Sequence, residues 1–348
     1  MINPLVISIL LITMGLGTIV TFASSHWLLA WMGIELNTLA ILPILAGRHH
    51  SRATEASVKY FLIQVTAAAM LLFATCSNAW YTGEWNIQEM AHPLSVTMAI
   101  VALALKLGLV PLHTWMPEVL QGLDLIVGLI VATWQKLGPL VLLFQITPRD
   151  SQLLLVLGAI SVLVAGWAGL NQVQVRKILA YSSIAHMGWM VVALHFSTAL
   201  AILTLLIYLV MTAAAYFIFN VNKTNTLYSF HRTPSNPATI TVAILVLLSL
   251  GGLPPLTGFI TKWLIIQELT VQSHGALVTL LVFSALLSLY YYLRLSHALT
   301  LTMPPRHVMV TALWRLDPPN PTPLMPAFIA MAIALLPIMP IIASLTLK

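Results

Sequence analysis

The chain has 348 residues, of which 59% are hydrophobic and only 7% charged, whereas a soluble globular domain carries roughly a quarter charged residues. That balance excludes a water-soluble enzyme or binding module, because no such fold can hide so much apolar surface. The net charge of +6, from 15 basic and 9 acidic residues, is scattered through short loops; it reads as membrane topology and not as a nucleic-acid surface.

Apolar runs of about twenty residues, each long enough to cross ~30 Å of hydrocarbon, follow one another along the chain. They predict spans near 3–22, 26–46, 56–79, 95–119, 125–146, 152–170, 175–194, 199–220, 238–268, 275–299 and 324–345. The opening stretch, MINPLVISILLITMGLG, runs straight into the first span without an arginine-rich transit segment, so that helix is expected to serve as both address and structure. The single cysteine, Cys76, lies in an apolar run and is expected to pack inside. One cysteine allows no internal disulfide and no zinc or iron–sulfur site, and the histidines show no metal-ligand spacing, so neither metal nor cofactor is expected here. His49 and His50 sit together in a basic loop and read as solvated.

Loops after even-numbered helices hold Arg48, Arg52, Arg176, Lys177, Lys223, Arg232, Arg306 and Arg315. The opposite loops hold only Arg149 and Lys348 as basic residues but gather Glu84, Glu89, Asp150 and Glu268. This asymmetry places the amino terminus on the positive side and supports eleven spans independently of hydropathy.

Two spans are interrupted. The fourth contains LKLGLVPLHTWMPEV with Pro111 and Pro117; the ninth contains LSLGGLPPLTGFITKW with Gly251, Gly252, Pro254 and Pro255. Each proline removes a backbone donor and clashes with the preceding turn. Broken backbone at membrane depth must be buried in protein or line a wet cavity, since lipid cannot satisfy it. Both breaks fall in the fourth helix of a five-helix block. The expected architecture is therefore an all-α polytopic membrane protein of two inverted five-helix repeats, over 1–147 and 148–300, with a loop and one added helix over 301–348.

Charged residues inside these spans are costly and functional by default. Glu35 lies within helix 2 as the only acidic residue expected at mid-membrane depth. Lys106 lies just before the first break, Lys136 within helix 5, and Lys262 just after the second break. Burial and a nearby carboxylate act on a lysine in opposite senses, so a change of pairing can load or release a proton. Lys106 stands at the carboxyl end of its half-helix, where the dipole suits an ammonium, and Lys262 stands past the start of its own. Lys59, near the start of helix 3, could serve protons, pair structurally to fix helix register, or snorkel to the interface. His113 could serve protons or satisfy carbonyls freed by the break, and His186 could serve protons or pack.

The strings MGIELN (32–37), KLGLVPLHTWMPEVLQG (106–122), KILAYSSIAHMGW (177–189) and LSLGGLPPLTGFITKW (248–263) resemble the NADH dehydrogenase subunit 2 family, antiporter-like subunits of respiratory complex I. The resemblance covers essentially the whole chain. It implies a multi-pass protein of the mitochondrial inner membrane that takes part in proton translocation. NADH, FMN, iron–sulfur clusters and ubiquinone would be handled by partner subunits, and this chain would hold no cofactor. Implied partners are the other membrane-arm and accessory subunits and the phospholipids around them, cardiolipin included. The family pattern pairs Glu35 with Lys106 and continues through Lys136 to Lys262, with Lys59, His113 and His186 as secondary positions on the proton pathway. Bacterial relatives carry about three further helices before the first repeat, which puts in doubt any contacts those helices make. Two other functions remain open at this stage: a subunit of a multisubunit cation/proton antiporter, or an assembly scaffold whose charges are structural.

Overall fold

A computed structural model describes residues 4–47, 50–146, 152–222, 226, 237–301 and 324–338. Arg48, His49, Arg149, Asp150, Lys223, Arg232, Arg306, Arg315 and Lys348, which carry much of the loop charge, lie outside them, as does 339–345 of the last expected span.

The described chain is almost wholly helical: α1 (Pro4–Ala23), α2 (Trp27–Leu45), α3 (Ser51–Thr82), α4 (Pro93–Leu107), α5 (Trp115–Gly122), α6 (Leu125–Ala132) and α7 (Trp134–Ile146) are followed by α8 (Gln152–Gly169), α9 (Val175–Phe196), α10 (Thr198–Val221), α11 (Pro237–Gly251), α12 (Thr257–Val271), α13 (Gly275–Leu301) and α14 (Leu324–Ala334). Among the described residues eight helices are long and apolar enough to cross a bilayer, with Leu125–Ile146 taken as one; Pro93–Leu107, Thr239–Gly251 and Met325–Ala334 are shorter apolar helices. The protein is thus an all-α polytopic membrane protein, as the hydropathy pattern predicts.

The chain divides into two compact units, Met1–Gly158 and Ala159–Lys348. In the first, α1 and α2 approach closely because small residues face each other. A Cβ added to Gly17 would lie 2.8 Å from the Gly33 carbonyl oxygen, and one added to Gly33 would lie 2.7 Å from Thr21 Cγ2. Only hydrogen fits there, which explains the glycine two residues before Glu35. The turn between α1 and α2 is tied to the loop after α3 by Trp27 N–H donating to the Trp85 carbonyl (3.1 Å) and Ile87 N–H to that of Ser25 (3.0 Å). These loops share one end of the unit, as alternating spans require, and the acidic residues Glu84 and Glu89 lie in that loop. On α3 the outward stripe runs through Val58, Leu62, Val65, Phe73 and Trp80, spaced at helical intervals. Cys76 falls on that stripe and is exposed, not packed inside.

In the second unit α9 is central, with 83% of its apolar window buried, whereas α13 is peripheral at 28%. Arg294 of α13 donates to the Leu170 carbonyl after α8 at 2.8 Å. The half-helices α11 and α12 meet at Gly258, where a Cβ would collide with the Ser249 carbonyl.

Gly33→Ala is expected to cost about 1–3 kcal/mol by overpacking the α1–α2 contact. Gly15→Ala, where a Cβ meets nothing within 4 Å, is expected to be neutral or slightly stabilising, since alanine suits a helix better than glycine. The thermal unfolding midpoints of the two variants in detergent measure the contrast.

Candidate functional site: interrupted helices and buried lysines

The first break begins as a glycine cap. α4 ends at Leu107 because Gly108 adopts φ 75°, a left-handed conformation that suits glycine. The amides of Gly108 and Leu109 then donate to the Leu105 and Ala104 carbonyls at 3.2 and 2.9 Å, closing the last turn. Pro111 follows in the connecting turn, as expected of a breaker. Pro117 does not break a helix: it is the third residue of α5, within the first turn, where no intrahelical amide bond is lost.

The second break repeats the device. α11 ends at Gly251, Gly252 has φ 81°, and the amides of Gly252 and Leu253 donate to the Leu248 carbonyl at 3.1 and 3.3 Å. Pro254 and Pro255 occupy the turn before α12.

A third interruption escapes the hydropathy reading. Thr133, at φ −114° and ψ −70°, separates α6 from α7, and its hydroxyl donates to the Leu129 carbonyl at 2.6 Å. Pro139 lies four residues past Gln135 inside α7, so it cannot donate to the Gln135 carbonyl and its ring crowds it.

Each central lysine stands at one of these interruptions. Lys106 is in the last turn of α4 and only 3% exposed; Lys136 is in the first turn of α7 and 2% exposed. Lys262, part-buried in α12, reaches back to donate to the Gly251 carbonyl, the last of α11, at 2.8 Å. Its stem lies where a side chain on Gly252 would be, since a Cβ there would be 3.1 Å from Nζ. The relevant helix end for Lys262 is therefore the carboxyl end of α11, which suits an ammonium, and not the start of α12.

Glu35 and Lys106 make no direct ion pair. Lys106 Nζ donates instead to the Gln64 carbonyl of α3 at 3.3 Å. Glu35 receives the Thr38 hydroxyl at 3.1 Å on Oε2 and acts on Lys106 through space. The same carboxylate acts on Tyr60, whose hydroxyl is bonded to Gln135 Oε1 at 3.2 Å. Gln135 Nε2 donates in turn to Asn37 Oδ1 at 3.0 Å. Gln135 thus joins Asn37 of α2 to Tyr60 of α3 one residue before Lys136, while Lys106 reaches α3 separately through the Gln64 carbonyl. The sequence signal for them was present but unread: Asn37 closes MGIELN and Gln135 precedes Lys136.

Lys59 lies in a surface ion-pair cluster, 2.6 Å from Glu55 and 2.9 Å from Glu118 of α5. Glu118 lies near the end of the expected fourth span and its side chain is 54% exposed, so it belongs to this surface cluster. His113 is half-buried just past the first break and interacts with the Pro111 backbone. His186 of α9 packs against Tyr208 of α10, with ring centroids 5.6 Å apart and the ring planes tilted by 44°. Among the described residues no group of three His, Cys, Asp or Glu side chains could hold a metal ion.

Residues 24–288 match the family model described as the transmembrane part of NADH:quinone oxidoreductase and Mrp antiporters, and residues 289–343 match that for the NADH dehydrogenase subunit 2 C-terminus. The chain is 55% identical over 344 residues to NADH-ubiquinone oxidoreductase chain 2 of Tetraodon nigroviridis, covering 99% of both chains. It is 51% identical to that of Squalus acanthias over 347 residues, 99% of this chain and 100% of the other. Among solved structures, a chain of respiratory complex I from Thermus thermophilus superimposes with a TM-score of 0.83 at 28% identity, over 97% of this chain and 79% of that one. A chain of the Mrp complex from Dietzia shares the fold, with a TM-score of 0.74 at 18% identity over 82% of this chain and 59% of that one.

Gln135→Leu removes the partner of both Asn37 and Tyr60 and is expected to cost about 1 kcal/mol, the scale of interhelical hydrogen bonds in membranes. Adding Asn37→Leu should recover part of that loss, because no orphaned amide remains. A double-mutant cycle on unfolding midpoints reads the coupling.

Proposed function

Since the chain belongs to the NADH-ubiquinone oxidoreductase chain 2 family, as a multi-pass, antiporter-like subunit of respiratory complex I in the mitochondrial inner membrane, we propose that Glu35, Lys106, Lys136 and Lys262 form its proton pathway. One observation carries this reading: all three lysines stand at helix interruptions, where freed backbone polar groups can hold an ammonium or the water that hydrates it. An ordinary structural ion pair needs no such coincidence.

In this scheme Glu35 controls the loading of Lys106 through space, the polar contacts of Asn37, Tyr60 and Gln135 lead toward Lys136, and Lys262 serves the exit side. A lysine suits each step because a buried ammonium is stable only while its surroundings compensate it, so a shift in a neighbouring charge moves its proton. His113 and His186 serve as secondary positions. Lys59 contributes at the surface, as an ion-pair partner of Glu118. The occurrence of one capped break in the fourth helix of each five-helix block supports a repeat organisation over 1–147 and 148–300.

Redox chemistry belongs to the partner subunits of the complex, which handle NADH, FMN, iron–sulfur clusters and ubiquinone, while this chain contributes only proton-carrying side chains. The outward apolar stripe of α3, with Trp80 87% exposed, supports a surface covered by phospholipid, cardiolipin included, or by neighbouring membrane-arm and accessory subunits. The match to the subunit 2 C-terminal model over 289–343 sets this reading above that of an Mrp-type cation/proton antiporter.

Replacing Lys106 by methionine in the assembled complex is expected to lower coupled quinone reduction and proton pumping by about a hundredfold or more, the lower end of what losing a positioned acid–base group costs. Glu35→Gln should act in the same direction and less strongly, because its carboxylate works at a distance. Electron transfer from NADH to ferricyanide, which needs no membrane-arm subunit, should be unchanged. An assembled Lys106→Met complex that pumps at the normal ratio of protons to electrons removes Lys106 from the pathway.

A further inference from the structure

The second unit carries a cation on its outer face that its own helices do not neutralise. Arg294 of α13 is exposed, and its Nη1 donates to the Leu170 carbonyl just past α8 at 2.8 Å. A carbonyl fixes the guanidinium without balancing its charge. Among the described residues of this unit Glu268 is the sole carboxylate, against Arg176, Lys177, Lys262 and Arg294. Glu268 lies in the last turn of α12, before α13 begins at Gly275. Arg294 stands roughly 28 Å further along α13 at the usual helical rise. Neither α13 itself nor α8, α9 and α11 contain any Asp or Glu.

The packing of α8 on α13 shapes what lies beside this cation. A Cβ added to Gly166 would lie 3.1 Å from the Ser284 carbonyl oxygen, and one added to Gly169 would lie 2.8 Å from Tyr291 Cδ1. The helices therefore touch along these glycines and run parallel, since the contacts advance along both together. With that face turned inward, the helical period brings Ile160 and Trp167 of α8 and Phe283 and Tyr290 of α13 to the same outer side as Arg294. All four are exposed, Trp167 at 71% and Tyr290 at 59%. Trp167 and Tyr290 stand about one turn from the Leu170–Arg294 bond, and Ile160 and Phe283 about three turns from it. The order along the groove is thus cation, amphipathic ring, hydrocarbon, which is also the order of phosphate, interface and acyl chain in a phospholipid leaflet.

We infer that Arg294, Trp167 and Tyr290 hold the head of one anionic phospholipid, whose acyl chains lie along Ile160 and Phe283 between α8 and α13. The guanidinium fork matches two oxygens of a phosphodiester, while its bond to Leu170 keeps the plane oriented. The site lies at the same membrane end as Arg176 and Lys177, which open α9 after the turn that holds Leu170, and basic residues at such ends attract anionic headgroups. A zwitterionic lipid brings its own ammonium and leaves this end positive, whereas an anionic one neutralises it. The inference needs only the membrane-spanning fold; it is independent of the proton pathway and of what covers α3.

The test uses assembled complex I in phosphatidylcholine vesicles that contain a trace of phosphatidylglycerol bearing a photoactivatable diazirine on one acyl chain. Labelled residues are located by mass spectrometry after digestion. Label is expected on α8 and α13 along the groove, and added unlabelled phosphatidylglycerol should displace it where added phosphatidylcholine does not. Arg294→Gln keeps a donor for the Leu170 carbonyl and loses the charge. It is expected to lower labelling of the groove about fivefold, the weight of one basic residue at an anionic surface, with labelling elsewhere on the complex unchanged. A diazirine probe with a phosphatidylcholine head should label the groove equally in both complexes. Should Arg294→Gln fail to assemble, the headgroup competition in the unaltered complex decides. Groove labelling indifferent to the headgroup, or to the loss of the Arg294 charge, overturns the site. Label elsewhere on the complex but none in the groove means that a neighbouring subunit covers this face, and that result overturns it too.

Discussion

The constraint on which the rest of this structure depends is that hydrocarbon offers no hydrogen bonds. Every amide and carbonyl at membrane depth must find a partner within the protein, so helices dominate and any interruption must be resolved by side chains or enclosed water. The protein interrupts its helices near residues 108, 133 and 252. At two of these a left-handed glycine closes the turn with the amides that follow it, and at the third a threonine hydroxyl bonds back to its own helix. The lysines stand beside these repairs. A cation that would be prohibitive on a continuous apolar helix becomes sustainable beside a helix's carboxyl end, as Lys106 stands at that of α4 and Lys262 at that of α11.

Burial of the charges rests on modest devices. The α1–α2 contact depends on Gly17 and Gly33 having no side chains, and it holds Glu35 two residues along the same helix. Glutamine and asparagine then extend the polar interior: Gln135 binds Asn37 and Tyr60 from helices far apart in sequence. Such amides are well suited to this role, since each both donates and accepts and carries no charge to compensate.

The polytopic all-α character and the existence of two broken helices were legible in the sequence, because apolar length and clustered glycine and proline report directly on those features. The agent of each break was not. Prolines 111 and 117 drew attention, yet Gly108 stops the first helix, and Pro117 is harmless within a first turn. Thr133 gave no sign, because an apolar run continues on both sides of it and neither glycine nor proline stands at the break. Cys76 was misplaced because an apolar position need not face inward in a membrane: α3 buries Ser57, Gln64, Thr75 and Asn78 and turns Val58, Leu62 and Phe73 outward. The residue contacts of Lys59 with Glu118, and of Lys106 with the Gln64 carbonyl, depend on long side chains reaching across packed helices, and no local pattern encodes that reach.

The bond from Lys262 to the Gly251 carbonyl has one more consequence. A lysine that surrenders its proton becomes an amine that still bears two N–H groups, so the helix end it serves need not be abandoned when the charge departs. Structure and charge are thereby uncoupled at this point: the backbone stays satisfied in both protonation states, and only the electric field changes. An arginine could hold the same carbonyl but would not release its proton, and a glutamate could release a proton but, once ionised, could offer the carbonyl no donor. The choice of side chain at position 262 thus permits repeated charging and discharging without unravelling the end of α11.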